Sequence, residues 1–372
     1  MQTIAIIDCP RLLLGVERRM AESAVQAKEG VTMGTSRYAI IKALILAASV
    51  LATGLTGCQR DPGVATAVAP SIDPTQVVIT EAVAGSDIPV HLAYVETIDG
   101  LYTPIGIRKP DGDGPFPIIL FASGNGGGGM DWVREATQNR SWTQEQFVQA
   151  GYAVAWTRYR AEVELAYDKY GKLVQDVRQG RQLLNRGPLE YEDVISIINY
   201  VKTLPYVDAT RVGYMGMSHG GEMAFKITSE YDGLFAAIAS EPANHEFLSL
   251  TPDDTVHVNP DSGMRDIESM LMREADKVRG RIDLDVALGR ISTINTPIFV
   301  QGRNSDELQG IFRVGYDLLQ ESGKESAWKT YEHDVHGFVY VQRNDKGIYD
   351  PDAVQLSAVK DSIAFFDRQR EE

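Results

Sequence analysis

The sequence has 372 residues, of which 44% are hydrophobic and 23% are charged, so the chain can bury a large core. Its formal net charge of −15 argues against nucleic acid or an anionic membrane surface as a partner. The histidines and the two cysteines form no cluster with the spacing of a zinc site, and we expect neither a metal nor a cofactor.

An export signal is predicted near the N-terminus. Basic residues precede an apolar run at residues 43–55, which is too short to span a bilayer comfortably, and Cys58 follows it. The ending Leu-Thr-Gly-Cys resembles the lipobox of bacterial lipoproteins, whose cysteine is lipidated and becomes the mature N-terminus. We therefore interpret residues 33–57 as a signal peptide, Cys58 as the lipid anchor and residues 58–75 as a flexible tether. The alternative is an uncleaved apolar helix with a chance cysteine.

The location of the mature protein follows from the same segment. Residues 1–32 fit poorly before such a signal, and we interpret them as an upstream extension, with translation starting at Met33. Gln59, rather than an aspartate, follows the lipobox cysteine, which favours an outer-membrane anchor facing the periplasm. Because Cys9 and Cys58 both precede the predicted domain, no disulfide is expected.

The rest of the chain, residues 76–372, alternates strands and helices as a parallel sheet with crossover helices requires. Short runs rich in β-branched and aromatic residues predict strands at 77–80, 90–95, 102–108, 118–122, 153–156, 236–239, 298–301 and 328–331, with another that begins at Arg211. Amphipathic periodicity predicts helices at 144–150, 191–203, 222–229, 311–320 and 353–368.

Residues 244–290 interrupt this alternation. We interpret them as a small helical cap insertion over the carboxyl edge of the sheet, where open α/β sheets bind ligands, with a helix at residues 262–281. Met264, Met270 and Met272 could line a substrate pocket there, although ordinary packing is the favoured interpretation.

The sequence Gly216-Met217-Ser218-His219-Gly220 lies between a predicted strand and a predicted helix. A sharp strand-to-helix turn exposes a serine hydroxyl and aims the first helical N–H groups at a developing oxyanion. Glycines suit the flanks because a side chain would collide with neighbouring backbone in so tight a turn. The motif therefore predicts that Ser218 is a nucleophile.

A serine nucleophile needs a base and a carboxylate that holds the base in the right tautomer. Asp306 follows the predicted strand at 298–301, and His336 follows the strand at 328–331, so both lie at the same sheet edge as Ser218. His333 is the alternative base, because the end of the last strand is uncertain by a residue or two.

These residues carry a resemblance to the α/β-hydrolase superfamily, specifically to the group of dienelactone hydrolase and the catalytic domain of prolyl oligopeptidases. The resemblance runs from about Tyr102 to the C-terminus. It implies an α/β-hydrolase fold, with a mostly parallel sheet and helices on both faces. By it Ser218 is the nucleophile, Asp306 the acid and His336 the base. Asp306 lies one residue farther from Gly302 than is usual in the family, so Glu307 and Glu241 remain alternative acids.

The glycine-rich loop at residues 124–129 has two interpretations. It matches a dinucleotide fingerprint, yet the next strand ends without an acidic residue for the ribose hydroxyl. In a hydrolase the same loop supplies an oxyanion donor, with Gly126 and Gly127 as candidates beside the backbone N–H of His219. We favour the hydrolase interpretation.

The predicted function is hydrolysis of a small carboxylic ester through an acyl-enzyme. Residues 76–101 are too few for the β-propeller that gates long prolyl oligopeptidases, which favours an esterase. The alternatives are a serine peptidase acting on short peptides, a non-catalytic surface lipoprotein with this fold, and a nicotinamide-dependent oxidoreductase.

Overall fold

The computed structural model describes residues 77–124, 129–158, 186–250 and 272–371. Cys58, the predicted signal and tether, Gly126, Gly127, Met264 and Met270 all lie outside these residues. In the described part of the chain, none of the helices combines the length and the apolar character that crossing a membrane requires.

Nine strands of the described residues form one sheet in the order β1-β2-β3-β5-β4-β6-β7-β8-β9. The strands are β1 (Val77–Glu81), β2 (Val90–Glu96), β3 (Tyr102–Arg108), β4 (Phe116–Ala122), β5 (Ala153–Thr157), β6 (Val207–Met217), β7 (Ala237–Ser240), β8 (Ile298–Arg303) and β9 (Ser326–Tyr331). The first three strands and the β3–β5 pair are antiparallel, whereas all pairs from β5 through β4 to β9 are parallel.

Eight helices lie within the described residues, and they cover both faces of the sheet. They are α1 (Gly129–Asn139), α2 (Trp142–Gln149), α3 (Arg186–Val201), α4 (His219–Glu230), α5 (Ala275–Arg279), α6 (Leu284–Ser292), α7 (Gln309–Glu321) and α8 (Ala353–Glu371). The core on one face includes side chains of α3, α4 and α7, and the core on the other includes side chains of α1, α2 and α8.

The central strands are apolar on both sides because both faces are covered. In β4, Ile118 and Leu120 face the core beneath α3 and α4, whereas Ile119 and Phe121 face the opposite core, and all four are fully buried. This alternation follows from the two-residue period of a strand. It fixes the register of β4, because a slip of one residue would exchange the two sets of side chains.

The chain order reverses at β4, which has β5 on one side and β6 on the other. Such a switch point opens a crevice outside the carboxyl ends of the strands, because successive crossovers leave in opposite directions. The loop after β4 and the turn after β6 therefore lie side by side. The predicted α/β-hydrolase fold, with a mostly parallel sheet and helices on both faces, is confirmed.

The insertion differs from the prediction in its helical content. A continuous helix was expected over residues 262–281, but residues 272–274 are not helical and α5 covers only Ala275–Arg279. The next helix, α6, buries Ala287 and Ile291 in the core beneath α4 and α7, so it belongs to the helical layer of the domain. Met272 is 2% exposed and packs in that core, in agreement with the packing interpretation.

Candidate active site

Ser218 occupies the sharp turn between β6 and α4. Its backbone has φ of 57° and ψ of −115°, a region that non-glycine residues rarely adopt, and the helix begins at the next residue. The surrounding backbone holds this conformation: the N–H of Ser218 donates to the carbonyl of Ser240, and the carbonyl of Ser218 accepts from Glu222 and Ala243. Strain retained in this way is characteristic of functional turns.

The flanking glycines are required by close backbone contacts. A Cβ added to Gly216 would lie 1.9 Å from the carbonyl oxygen of Gly220, and one on Gly220 would lie 2.6 Å from that of Ala122. Neither neighbour is a flexible side chain that could move aside. The sequence motif thus identifies two positions where only glycine fits the turn.

The loop after β4 passes directly against the serine. A Cβ added to Gly124 would lie 3.2 Å from Cβ of Ser218 and 3.6 Å from its Oγ. Arg158, 1% exposed, braces this loop: its Nη1 donates to Oγ of Ser123 at 2.6 Å and to the carbonyl of Gly124 at 3.2 Å. Its guanidinium stacks over Trp132, 4.3 Å from the ring centroid. This role of Arg158 was not predicted from the sequence.

Asp306 and His336 meet at the carboxyl edge of β8 and β9. Nδ1 of His336 lies 2.8 Å from Oδ2 of Asp306, while Oδ1 of Asp306 accepts from the N–H of Leu308 at 2.8 Å. An ionised carboxylate only accepts hydrogen bonds, here also from Arg303, so Nδ1 of His336 carries the proton and Nε2 is the basic atom.

The surroundings of Asp306 and His336 stabilise the charged form of each side chain. Burial alone would raise the pKa of Asp306, but the hydrogen bonds from His336, Leu308 and Arg303 lower it to about 2. Burial alone would lower the pKa of His336, but its contacts with Asp306 and Glu241 raise it to about 9. The acid is therefore ionised at neutral pH, and an imidazolium is stabilised beside it.

Arg303 links the acids to the histidine loop, and its role was also missed from the sequence. It is 7% exposed; its Nε donates to Glu241 at 3.0 Å and its Nη2 donates to Asp306 at 2.7 Å. Its Nη1 donates to the carbonyls of His333 and Asp334 at 3.0 Å and 3.1 Å. A charged residue at the end of an apolar strand, between two candidate acids, was the signal that could have revealed it.

The alternative residues from the sequence fall in different places. Glu307 has a side chain that is 51% exposed and pairs with Arg273, so it points away from the imidazole. His333 stacks on Phe338, with ring centroids 5.1 Å apart, and its Nε2 lies 3.2 Å from Asp352. Glu241, in contrast, lies beside His336.

His219, directly after Ser218, is buried between two glutamates. Its Nε2 lies 2.6 Å from Oε2 of Glu190 on α3, and its Nδ1 lies 3.7 Å from Oε2 of Glu222 on α4. These contacts fix the imidazole below the turn, and the backbone N–H remains the group that the motif assigns to the oxyanion.

Glu241, Asp306 and His336 place three potential metal-ligand atoms within 4.8 Å of one another. The guanidinium of Arg303 donates to both carboxylates and supplies the positive charge between them. This arrangement is typical of a hydrogen-bond network between charged side chains, and we assign no metal to it.

Comparisons with known proteins find a likeness to hydrolases. The sequence model of the prolyl oligopeptidase family matches residues 137–266, which include the Ser218 turn. This match covers less than half of the chain, and it supports the resemblance to the prolyl oligopeptidase and dienelactone hydrolase group. A search of curated proteins found no match.

Three solved structures illustrate the likeness. Acylaminoacyl peptidase from Pyrococcus horikoshii is 18% identical over 76% of this chain and 42% of its own, with a TM-score of 0.51. The esterase Est22 is 17% identical over 75% of this chain and 80% of its own, with a TM-score of 0.52. A protein described as a dienelactone hydrolase, from Klebsiella pneumoniae subsp. pneumoniae, is 13% identical over 75% of this chain and 98% of its own, with a TM-score of 0.50. The chain thus spans less than half the length of the peptidase, and these likenesses concern the fold.

Proposed function

We propose that the protein hydrolyses small carboxylic esters with Ser218 as nucleophile, His336 as base and Asp306 as the orienting acid. The observation that carries the proposal is the 2.8 Å contact between Nδ1 of His336 and Oδ2 of Asp306 at the sheet edge where Ser218 occupies its strained turn. No group outside these side chains and the nearby backbone is needed for acyl transfer to water.

The reaction has two halves. Nε2 of His336 takes the proton of the Ser218 hydroxyl as Oγ attacks the ester carbonyl, and the resulting imidazolium then protonates the departing alkoxide. The acyl group remains on Oγ. Water, deprotonated by the same Nε2, attacks the acyl carbon, and the carbon–Oγ bond breaks to release the carboxylic acid as the serine regains its proton.

The oxyanion of each tetrahedral intermediate is assigned to two backbone donors. One is the N–H of His219 at the start of α4, and the other is an N–H of the loop at 124–129, with Gly126 and Gly127 as candidates. The contact of Gly124 with Ser218 supports a role for this loop beside the nucleophile.

Substitution of the serine tests the proposal. We expect Ser218→Ala to lower kcat on p-nitrophenyl acetate by roughly a millionfold and to abolish labelling by a fluorophosphonate probe. Ser229→Ala, which removes a hydroxyl from the last turn of the helix after Ser218, is the matched control and should change neither readout. Full activity in Ser218→Ala, or probe labelling at another residue, would refute the mechanism.

A peptidase is the second candidate function, because the matching family model is that of prolyl oligopeptidases. Amide hydrolysis needs the same nucleophile but a better-positioned acid for the amine leaving group. Steady-state kcat/KM for nitrophenyl esters, aminoacyl nitroanilides and prolyl nitroanilides, measured on one enzyme preparation, distinguishes the two. A preference for the amides would replace the esterase proposal with the peptidase.

We further propose that Cys58 carries a lipid that anchors the enzyme in the outer membrane, facing the periplasm. The support is the apolar run at 43–55 followed by Leu-Thr-Gly-Cys. In a Gram-negative host, wild-type protein should incorporate radiolabelled palmitate and sediment with outer membranes, and Cys58→Ala should do neither. Equal labelling of both proteins would exclude Cys58 as the lipidation site.

A further inference from the structure

A second carboxylate, which the proposed mechanism does not use, lies beside the catalytic imidazole. Oε1 of Glu241 is 3.4 Å from Nδ1 of His336, the same ring nitrogen that lies 2.8 Å from Asp306. Oε2 of Glu241 accepts the N–H of Gly337, the next residue after the histidine, at 2.7 Å. Glu241 therefore contacts both the ring and the backbone of the loop that carries His336.

Two features of Glu241 are energetically unfavourable in this position. Its side chain is fully buried, and its φ of 47° lies in the region that non-glycine residues rarely adopt. Its N–H donates to the carbonyl of Gln301 at the end of β8, which fixes the backbone after β7. Retaining a buried, strained carboxylate is costly, and the hydrogen bonds that its carboxylate accepts from described residues come from Arg303 and from Gly337 in the histidine loop.

The charges around Nδ1 do not cancel without the imidazole. Among the described residues, the elements packed around His336 contribute Glu241 from the end of β7, and Arg303 and Asp306 from the end of β8. One guanidinium between two carboxylates leaves one net negative charge facing the ring. An imidazolium formed during the reaction neutralises that charge.

We propose that Glu241 is a second positioning carboxylate, which shares Nδ1 of His336 with Asp306 and holds the histidine loop through Gly337. This inference rests on the proposed function. Asp306 is the nearer partner and sets the tautomer. Glu241 adds stabilisation of the imidazolium, and it is placed to accept from Nδ1 when Asp306 cannot.

The pH profile of Glu241→Gln is the first test. Removing one anion near the imidazole should move the ascending limb of kcat/KM about one pH unit lower, since opposite charges at this range shift a pKa by one unit or more. Glu307→Gln, which removes an exposed carboxylate from the adjoining loop, is the matched control and should leave the limb in place. An unmoved limb in folded Glu241→Gln would overturn the proposal.

The second test removes the two acids separately and together. Loss of a triad aspartate costs about ten-thousandfold when no other group holds the histidine. With Glu241 present, we expect Asp306→Asn to lower activity by a factor at least ten times smaller than this. The double variant Asp306→Asn/Glu241→Gln should show the full loss of activity. Equal activity of the single and double variants would overturn the proposal.

Two further measurements keep the outcomes distinct. Ser218→Ala in the same assay separates the hypotheses: if it is inactive while Glu241→Gln has an unmoved limb, the inference about Glu241 fails and the proposed function stands. If Ser218→Ala is active, the proposed function itself fails. Should Glu241→Gln not fold, NMR titration of His336 in Asp306→Asn decides: a pKa above 6.5 supports the role of Glu241, and a lower one overturns it.

Discussion

At the scale of single residues, the proposed mechanism makes activity depend on the protonation of His336. The base must be neutral to accept the serine proton, but its carboxylate neighbours raise its pKa to about 9. The fraction in the active, neutral form therefore rises with pH through that value. We expect kcat/KM for an ester to increase above neutral pH, with an ascending limb centred near pH 9. An ascending limb centred at or below 6.5 would contradict this prediction.

A second prediction at this scale concerns Gly216 in the turn that carries Ser218. The Cβ of Gly216→Ala would lie 1.9 Å from the carbonyl oxygen of Gly220, so the backbone of the turn must move. We expect the free energy of unfolding to fall by roughly 3 kcal/mol or more, measured by urea denaturation.

Gly289→Ala is the matched control for Gly216→Ala. Gly289 is an exposed glycine inside α6, and a Cβ added there meets no atom within 4 Å. Alanine should therefore raise the free energy of unfolding by up to about 1 kcal/mol, through helix propensity. A similar loss in both variants would show that the turn does not exclude a side chain.

At the scale of elements, Glu222 joins α4 to the segment that follows β7. Its Oε1 accepts the backbone N–H groups of Glu246 and Phe247 at 2.8 Å and 2.9 Å, and the side chain is 3% exposed. Burial alone would raise its pKa, but Lys226, His219 and the N–H of Phe247 lower it to about 2. A carboxylate that is easier to ionise in the folded state than in the unfolded state stabilises the fold.

The pH dependence of that stabilisation has a definite sign. The folded pKa of Glu222 is below its ordinary value of 4.5, so its contribution is complete above pH 4.5 and is lost as the pH falls toward 2. In Glu222→Gln, the free energy of unfolding should decrease less as the pH falls through this range, by on the order of 3 kcal/mol. Denaturation measured at several pH values tests this. Glu230→Gln, an exposed position on the same helix, is the control; an equal effect there would exclude a specific role for Glu222.

Strands with a strong hydrophobic pattern were predicted well from the sequence. Helices whose position depends on tertiary contacts were not. Strands such as β4 and β8 are continuous apolar runs, so their positions were found to within two residues. Helix α1 was missed, because its eleven residues are largely polar and bury only Val133, Ala136 and Thr137. The helix predicted across residues 262–281 was wrong over 272–274, because charged residues with helical propensity do not require a helix where tertiary contacts favour another conformation.

At the scale of the whole molecule, one sheet joins the antiparallel N-terminal strands to the parallel remainder. β3 pairs with β5. The hydroxyl of Tyr340 lies 3.1 Å from the carbonyl oxygen of Ala122 in β4 and 2.7 Å from that of Met215 in β6. Cores on both faces share these strands, so neither face can unfold while the other remains intact.

We therefore expect the domain to unfold in a single cooperative transition. Tryptophans report on both faces: Trp156 lies in one core, and Trp328 packs against the other. Thermal or urea transitions followed by tryptophan fluorescence and by far-UV circular dichroism should coincide. Separate midpoints would show that the antiparallel strands form an independent unit.

Local patterns in the sequence were enough to predict the order of elements, the sharp turn at Ser218 and the placement of Ser218, Asp306 and His336 at one sheet edge. Those features follow from local rules: strand and helix periodicity, glycine at a tight turn, and the carboxyl ends of parallel strands sharing an edge. The tertiary structure decided which side chains meet. It brought Asp306 into contact with His336, turned Glu307 outward and formed the network of Glu241 and Arg303. Side-chain direction and burial there are set by segments distant in sequence, which no local pattern of residues encodes.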